Sequence, residues 1–335
     1  MNFDKIKPWL SAGVAVACIG FGAWYVVAHA DDFAILGRIG PVALLEIFGA
    51  LAALYWLGGL QFAVLLRRYG VALPPAGWFG LYMAQTVGNI IMPMRGGSGG
   101  TAVWLKVAHG MPVGRFVLVL AGTYVIRALV NALAALAGVG LARAMTGWVS
   151  LTAALAAASV AAASVAALFI PGLPHSDRRG WRLVVRVVNG WHELVADRAL
   201  LAKVLALAIA QCAVQALVLW LVYLALGLDV SPAAALAIGS LGTVVAMVTP
   251  TPAAVGPYDA AMVALPIAFG LTPAEAAAAL VVLRAATIAC ALALAGIFAF
   301  ALRPRDRGAQ GDRGAQGDRG AQGDRGAQGD RGARR

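Results

Sequence analysis

Two arginines in the sequence lie within long apolar segments, one in each half of the chain. Arg127 lies in the segment 116–141, and Arg284 lies in the segment 273–302. An arginine at the centre of a membrane helix costs about 2.5–3.5 kcal/mol on insertion scales, so it usually faces the protein interior or a water-filled cavity. The planar guanidinium is well shaped to bind a phosphate. The two residues therefore predict a binding site for an anion.

The chain before each of these arginines is interrupted in a similar way. Prolines and glycines break an apolar stretch, a short apolar piece follows, and the arginine-bearing segment comes next. Broken helices that face each other across a duplicated fold build the central sites of many membrane transporters. The predicted correspondence pairs Pro93, Gly99 and Arg127 with Pro250, Gly256 and Arg284.

Further polar residues accompany these features. Tyr124 and Asn131 stand three residues before and four residues after Arg127, which places all three on one face of a helix. Free N–H groups in the glycine-rich run 96–100, just before a helix that we expect to restart near Thr101, would favour an anion. These glycines can equally serve only to turn a hairpin. The predicted cavity binds a lipid headgroup through Arg95, Arg127, Arg284, Asn89, Gly97, Gly99, Gly256, Tyr124 and Asn131.

Structural roles stay open for several of these side chains. Each arginine can instead pair with a carboxylate such as Glu46 or bind carbonyl groups of a hairpin. Asp259 is expected to cap a short helix, to take part in proton coupling or to pair with a cationic headgroup. Glu46 is the other acid expected in the membrane-embedded part. Gln85 and Asn89, one helical turn apart, can cap the first broken helix or contact a ligand.

The cysteines and histidines form no metal-binding or catalytic pattern in the sequence. Cys18, Cys212 and Cys290 stand singly in apolar segments, and the four histidines are scattered. The glycine-rich run lacks the Gly-Lys-Ser/Thr ending of a nucleotide-binding loop. We therefore expect no metal and no cofactor.

The composition is that of a polytopic membrane protein. Of the 335 residues, 61% are hydrophobic and 12% are charged, far from the balance of a soluble domain. The net charge of +11 is not clustered as a nucleic-acid surface requires, so no nucleic acid is expected as a partner. Basic residues instead occupy short segments between apolar runs, as in the cytoplasmic loops of membrane proteins.

We predict an all-α polytopic membrane protein with about six full transmembrane helices and two oppositely oriented re-entrant helical hairpins, which form an inverted repeat. The first span, 9–27, is expected to stay uncleaved. Charge placement sets both termini in the cytoplasm. The expected location is a bacterial plasma (inner) membrane. The predicted regions are a membrane domain, 1–302, with repeats at about 76–142 and 232–300, a cytoplasmic amphipathic segment, 175–199, and a disordered Gly-X-Y repeat tail, 303–335.

The order and spacing of these motifs resemble the transmembrane region of lysylphosphatidylglycerol synthases and its stand-alone flippase-like relatives. The resemblance covers about residues 40–300. Two departures stand out, because the family usually has an acidic residue where Ser98 stands, and Gly-Gly with Glu where Ala253, Ala254 and Asp259 stand. The resemblance is carried by Asn89, Pro93, Arg95, Gly97, Arg127, Pro252, Gly256, Asp259 and Arg284.

In the bifunctional members, the resemblance implies that this region moves lipid between leaflets while a separate soluble domain makes the aminoacyl-lipid. Only a short tail follows the last predicted span, so we expect no lysyl transfer and no enzyme activity. The expected function is translocation or binding of a membrane lipid, with an anionic phospholipid, an aminoacyl-phospholipid or a polyprenyl-phosphate lipid as the partner.

Two alternatives stay open. One is a membrane-embedded transferase that acts on a polyprenyl-phosphate or similar lipid carrier, with Asp259 or Glu46 as its general base. The other is an accessory subunit of a lipid or glycan synthesis complex. A homo-oligomer is compatible with each of these functions.

Overall fold

The computed structural model describes residues 39–146, 151–168, 185, 195–249 and 251–298, and these are helical apart from short turns and connections. The predicted all-α class is confirmed. Four predicted features lie outside the described residues: the run 9–27, most of the segment 175–199, Pro250 and the tail 303–335. The helices are α1 (Pro41–Arg68), α2 (Pro75–Ile91), α3 (Gly96–His109), α4 (Val113–Thr146), α5 (Leu151–Leu168), α6 (Arg198–Ala225), α7 (Pro232–Val248), α8 (Pro257–Ile267) and α9 (Pro273–Phe298).

Four helices in the described part are long and apolar enough to cross a membrane. They are α1, the stretch Val113–Ala144 of α4, α6 and α9. Between 28% and 44% of their most apolar windows is buried inside the protein, so much of their surface is left for lipid. The chain is therefore a membrane protein with transmembrane helices.

The first interruption forms a helical hairpin between α2 and α3. A 3-10 turn, Pro93–Arg95, joins the two helices, and Met94 and Arg95 adopt left-handed backbone with φ of 52° and 56°. Such a conformation costs about 1–3 kcal/mol for a residue other than glycine and persists only when its surroundings hold it. The surrounding packing must therefore stabilise this turn.

The helix after this turn begins earlier than we predicted. α3 starts at Gly96 rather than near Thr101, so the glycine-rich run is the first turn of a helix and not a loop before one. Gly97 is buried against α2, where a Cβ atom would lie 2.2 Å from the carbonyl oxygen of Gln85 and 2.6 Å from the nitrogen of Asn89. The missing side chain thus lets the two helices approach closely.

The second interruption repeats this hairpin between α7 and α8. Its 3-10 turn is Pro252–Ala254, and Ala253 and Ala254 again adopt left-handed backbone, with φ of 50° and 57°. Two predicted correspondences were wrong in detail. Pro93 matches Pro252 at the start of a turn. Gly256, with φ of 96°, precedes α8 as Arg95 precedes α3, whereas Gly99 lies inside α3 with open space beside it.

The two hairpins exchange packing partners. α2 packs against α9, and α7 packs against α4. Phe79 and Phe298 meet edge to face at 4.8 Å in the first contact. In the second, a Cβ atom on Gly138 would lie 2.7 Å from the carbonyl oxygen of Ala233. Each hairpin is therefore held by the arginine-bearing helix of the other half of the chain.

Candidate functional site

A cavity of about 350 Å³ opens where the two hairpin turns meet, and we call it the outer cavity. A second cavity of about 200 Å³, the inner cavity, shares part of its wall. The shared wall residues are Tyr82, Arg127, Gln215, Tyr258, Leu283 and Thr287.

Arg95, from the first turn, crosses to the end of α7. Its Nη2 donates to the carbonyl oxygens of Ala246 and Met247, each at 2.7 Å, and its Nη1 donates to the hydroxyl of Tyr124. The guanidinium also lies over the Tyr124 ring, 4.9 Å from its centre. Because the last carbonyls of a helix lack partners within the helix and carry partial negative charge, a cation is favourable there. Arg95 thus joins the two hairpins.

Arg284, from α9, holds the second turn. Its Nε donates to Oδ1 of Asp259 at 2.8 Å, and its Nη1 donates to the carbonyl oxygen of Ala253 at 2.6 Å. The guanidinium lies over the Tyr258 ring at 4.6 Å. Oδ2 of Asp259 accepts from the backbone N–H of Gly256 at 3.0 Å, at the start of α8. Asp259 therefore caps the helix and also balances the charge of Arg284.

Arg127, from α4, lines both cavities. Its Nε is buried and has no hydrogen-bond partner among the residues that the structure describes. Glu46, which we considered as a partner for this arginine, is exposed on α1 and forms no ion pair with it. Arg127 is thus the cavity arginine with a buried donor left for a ligand.

The remaining predicted residues divide into two groups. Asn89 and Tyr124 line the outer cavity with the three arginines, and Oδ1 of Asn89 also accepts from the N–H of Ser98 at 3.0 Å. Asn131 is only 3% exposed and donates to the carbonyl oxygen of Arg127 at 2.7 Å. The residues that lie outside both cavity walls are Gly97, Gly99, Gly256, Asn131, Asp259 and Glu46.

Sequence reasoning missed several polar residues of the cavity walls. On α2, Tyr82, Thr86 and Asn89 line the outer cavity at spacings of four and three, so a polar stripe was readable in the sequence. On α6, Gln211 and Gln215 are four residues apart, so this pair was readable as well, whereas Gln61 on α1 stands alone among apolar neighbours and carries no such local signal. The missed wall residues with polar side chains include Gln61, Tyr82, Thr86, Thr123, Gln211, Gln215, Thr243, Tyr258 and Thr287.

The charges around the cavities favour an anion. Arg95, Arg127 and Arg284 line the outer cavity, and no carboxylate belongs to either wall in the described part of the chain. Asp259 balances only one of the three. A charge in a site of low dielectric constant acts more strongly than in water, and arginine binds phosphate oxygens through paired N–H donors. The arrangement is therefore suited to a phosphate group.

Two comparisons with known proteins bear on this site. The family model of the lysylphosphatidylglycerol synthase TM region matches residues 10–296, which confirms the family predicted from the motifs. A search of curated proteins finds no match.

Proposed function

Since the chain belongs to the family of the lysylphosphatidylglycerol synthase TM region, we propose that it binds a phosphate-bearing lipid in the outer cavity and moves the headgroup between leaflets. The observation that carries this proposal is the unpartnered Nε of Arg127 in a cavity lined by three arginines and no described carboxylate. A phosphodiester supplies the acceptor oxygens and the negative charge that this wall lacks.

The proposal includes about six full spans and two re-entrant hairpins that enter from opposite faces, in a bacterial inner membrane with both termini in the cytoplasm. Helix lengths support it. α3 and α8 have 14 and 11 residues, about 21 and 16 Å at ~1.5 Å per residue, against a hydrocarbon core of ~30 Å. Irregular backbone inside a membrane must be buried in protein or line a cavity, and both turns reach the outer cavity wall.

In this mechanism the three arginines have different tasks. Arg95 and Arg284 hold the turns through carbonyl oxygens and Asp259, so most of their donors are already used. Arg127 binds the phosphate. The acyl chains stay in lipid while the hairpins rock around this residue and expose it to one leaflet and then to the other.

The contacts of the two acids favour lipid handling over the transferase alternative. A transferase needs a general base within reach of its substrate. Both oxygens of Asp259 are engaged, one by Arg284 and one by Gly256, and Glu46 is exposed on α1. We accordingly propose that the described cavity carries a lipid without reacting with it.

Proteoliposomes with fluorescent phospholipid, read by leaflet-specific quenching, test this function. Arg127→Gln should slow translocation at least about tenfold, because a hydrogen bond to a charged group contributes about 1.5–3 kcal/mol. Lys106→Ala, at an exposed position of α3, is the matched control and should translocate at the wild-type rate. Equal rates for wild type and Arg127→Gln would refute the assignment.

A further inference from the structure

The wall of the inner cavity combines apolar side chains with polar ones that are almost all uncharged. Arg127 is its one charged residue in the described part of the chain, and the rest of the polar wall consists of hydroxyls and amides. These are Tyr55, Tyr82, Gln211, Gln215, Tyr258 and Thr287. The inner cavity therefore differs in character from the outer one, where three arginines meet.

One acceptor in this wall is buried and unpartnered. Gln211 is 2% exposed, and its Oε1 has no hydrogen-bond partner in the described residues. Its Nε2 donates to Oε1 of Gln61 at 3.0 Å and to the carbonyl oxygen of Leu207 at 3.1 Å. Since both contacts need the amide nitrogen on that side, the carboxamide orientation is fixed and Oε1 is left to accept.

A second amide in the wall is also available. Gln215 lies one helical turn beyond Gln211 on α6, lines both cavities and makes no hydrogen bond with any described residue. In the outer cavity, Oε1 of Gln85 is likewise buried and unpartnered. Buried polar groups in native proteins are normally hydrogen-bonded, so the amide oxygens of Gln211 and Gln85 indicate a ligand that brings its own donors. Gln215 is only partly buried and is placed to contact the same ligand.

The donors that fit are neutral hydroxyl groups. A hydroxyl donates to an amide oxygen and accepts from an amide or tyrosine without adding charge. An ammonium group would also donate, but it would enter a wall whose described residues include Arg127 and no carboxylate, where repulsion and loss of hydration both oppose it.

We propose that the inner cavity is the subsite for the neutral, hydroxyl-bearing headgroup of an anionic lipid, with Arg127 holding the phosphate at its entrance. This inference rests on the proposed function and extends it by naming the substrate class. A lipid whose phosphate carries glycerol or a sugar fits, and an aminoacylated lipid with free ammonium groups does not.

The test compares headgroups in proteoliposomes under one leaflet-resolved assay. Its arms are phosphatidylglycerol, a polyprenyl-phosphoryl hexose, phosphatidic acid as the bare phosphate, and lysyl-phosphatidylglycerol. Wild-type protein should move one of the two hydroxyl-bearing lipids about tenfold faster than phosphatidic acid, the scale of one or two added hydrogen bonds, and lysyl-phosphatidylglycerol the slowest. Whichever of phosphatidylglycerol and the polyprenyl-phosphoryl hexose moves faster shows whether the headgroup hydroxyls come from glycerol or from a sugar.

Two variants make the result specific to the inner cavity. Gln211→Leu and Gln215→Leu should each lower the rate for the preferred lipid more than the rate for phosphatidic acid, so that the two rates converge. The Gln215→Leu variant loses no described hydrogen bond, so it still tests the subsite if the Gln211→Leu variant fails to fold.

The outcomes separate this inference from the function beneath it. If wild type moves all four lipids equally, the proposed headgroup subsite is wrong. The same holds if both variants lower every rate by the same factor. In either case the proposal that the protein moves lipid is kept. If wild type moves lysyl-phosphatidylglycerol as fast as the hydroxyl-bearing lipids, the inference is wrong as well. If wild type moves none of the four lipids, both the proposed translocation and the proposed headgroup subsite are wrong.

Discussion

Nε of Arg284 donates to Oδ1 of Asp259 across 2.8 Å and joins α9 to the first turn of α8. The two side chains are 23% and 27% exposed, so water screens the pair only in part. Because the other oxygen of Asp259 caps α8, the interaction sets both the charge of the cavity and the shape of the second hairpin.

Substitutions of Asp259 should separate these two roles. Asp259→Asn can keep its one acceptor oxygen for the N–H of Gly256, but its amide nitrogen then faces the donors of Arg284, so it loses the ion pair and the hydrogen bonds to Arg284. Asp259→Ala also loses the cap, which contributes about 1 kcal/mol. In thermal unfolding in detergent, the midpoint should therefore be highest for wild type, lower for Asp259→Asn and lowest for Asp259→Ala. Equal midpoints for the two variants would show that the cap contributes nothing.

Gly97→Ala should destabilise the first hairpin. The added methyl group would lie 2.2 Å from the carbonyl oxygen of Gln85, and such overpacking typically costs about 1–3 kcal/mol. The matched control is Gly99→Ala in the same helix, where nothing lies within 4 Å and alanine is favoured over glycine by about 0.5–1 kcal/mol. Unfolding midpoints should move in opposite directions, and a shared direction would contradict the described packing.

Arg95→Ala should loosen the junction between the hairpins. The variant leaves the carbonyl oxygens of Ala246 and Met247 without their donor, so amide exchange should accelerate at the end of α7 and in the second turn. Hydrogen exchange with mass spectrometry in micelles measures this, with Lys106→Ala as control. Acceleration confined to the first turn would argue against the cross-hairpin contact.

Arg127→Gln should remove about half or more of the ligand-dependent stabilisation without loss of intrinsic stability. A ligand at 100 times its Kd stabilises the native state by about 2.7 kcal/mol, and wild-type protein should show such a shift with anionic lipid. The variant removes a buried donor that has no described partner, so its midpoint without lipid should equal or exceed that of wild type. A large drop in that midpoint would mean that Arg127 is a structural residue.

Local pattern sufficed to predict much of the helix layout. The second repeat was predicted to begin at about residue 232, and α7 begins at Pro232. Of the three residues that helical spacing put on one face of α4, Tyr124 and Arg127 line the outer cavity and Asn131 does not. These features depend on residues within a turn or two of each other, which the sequence shows directly.

Contacts between distant segments were beyond sequence reasoning. Arg95 reaches carbonyl oxygens about 150 residues away, and no periodicity encodes which helix end it meets. The start of α3 was misjudged for a related reason. Glycines are poor helix formers in isolation, but here Gly97 is stabilised in a helix by close packing on α2, and tertiary contacts override local propensity.

The exchange of packing partners between the halves has a consequence for synthesis of the protein. α2 is complete at Ile91, but α9, which covers it, begins only at Pro273. The ribosome needs roughly 10–35 s to make the intervening chain at ~5–20 residues per second. During that time α2 lacks α9, its packing partner in the finished protein, so we expect the first hairpin to reach its final packing only after the second half has been made.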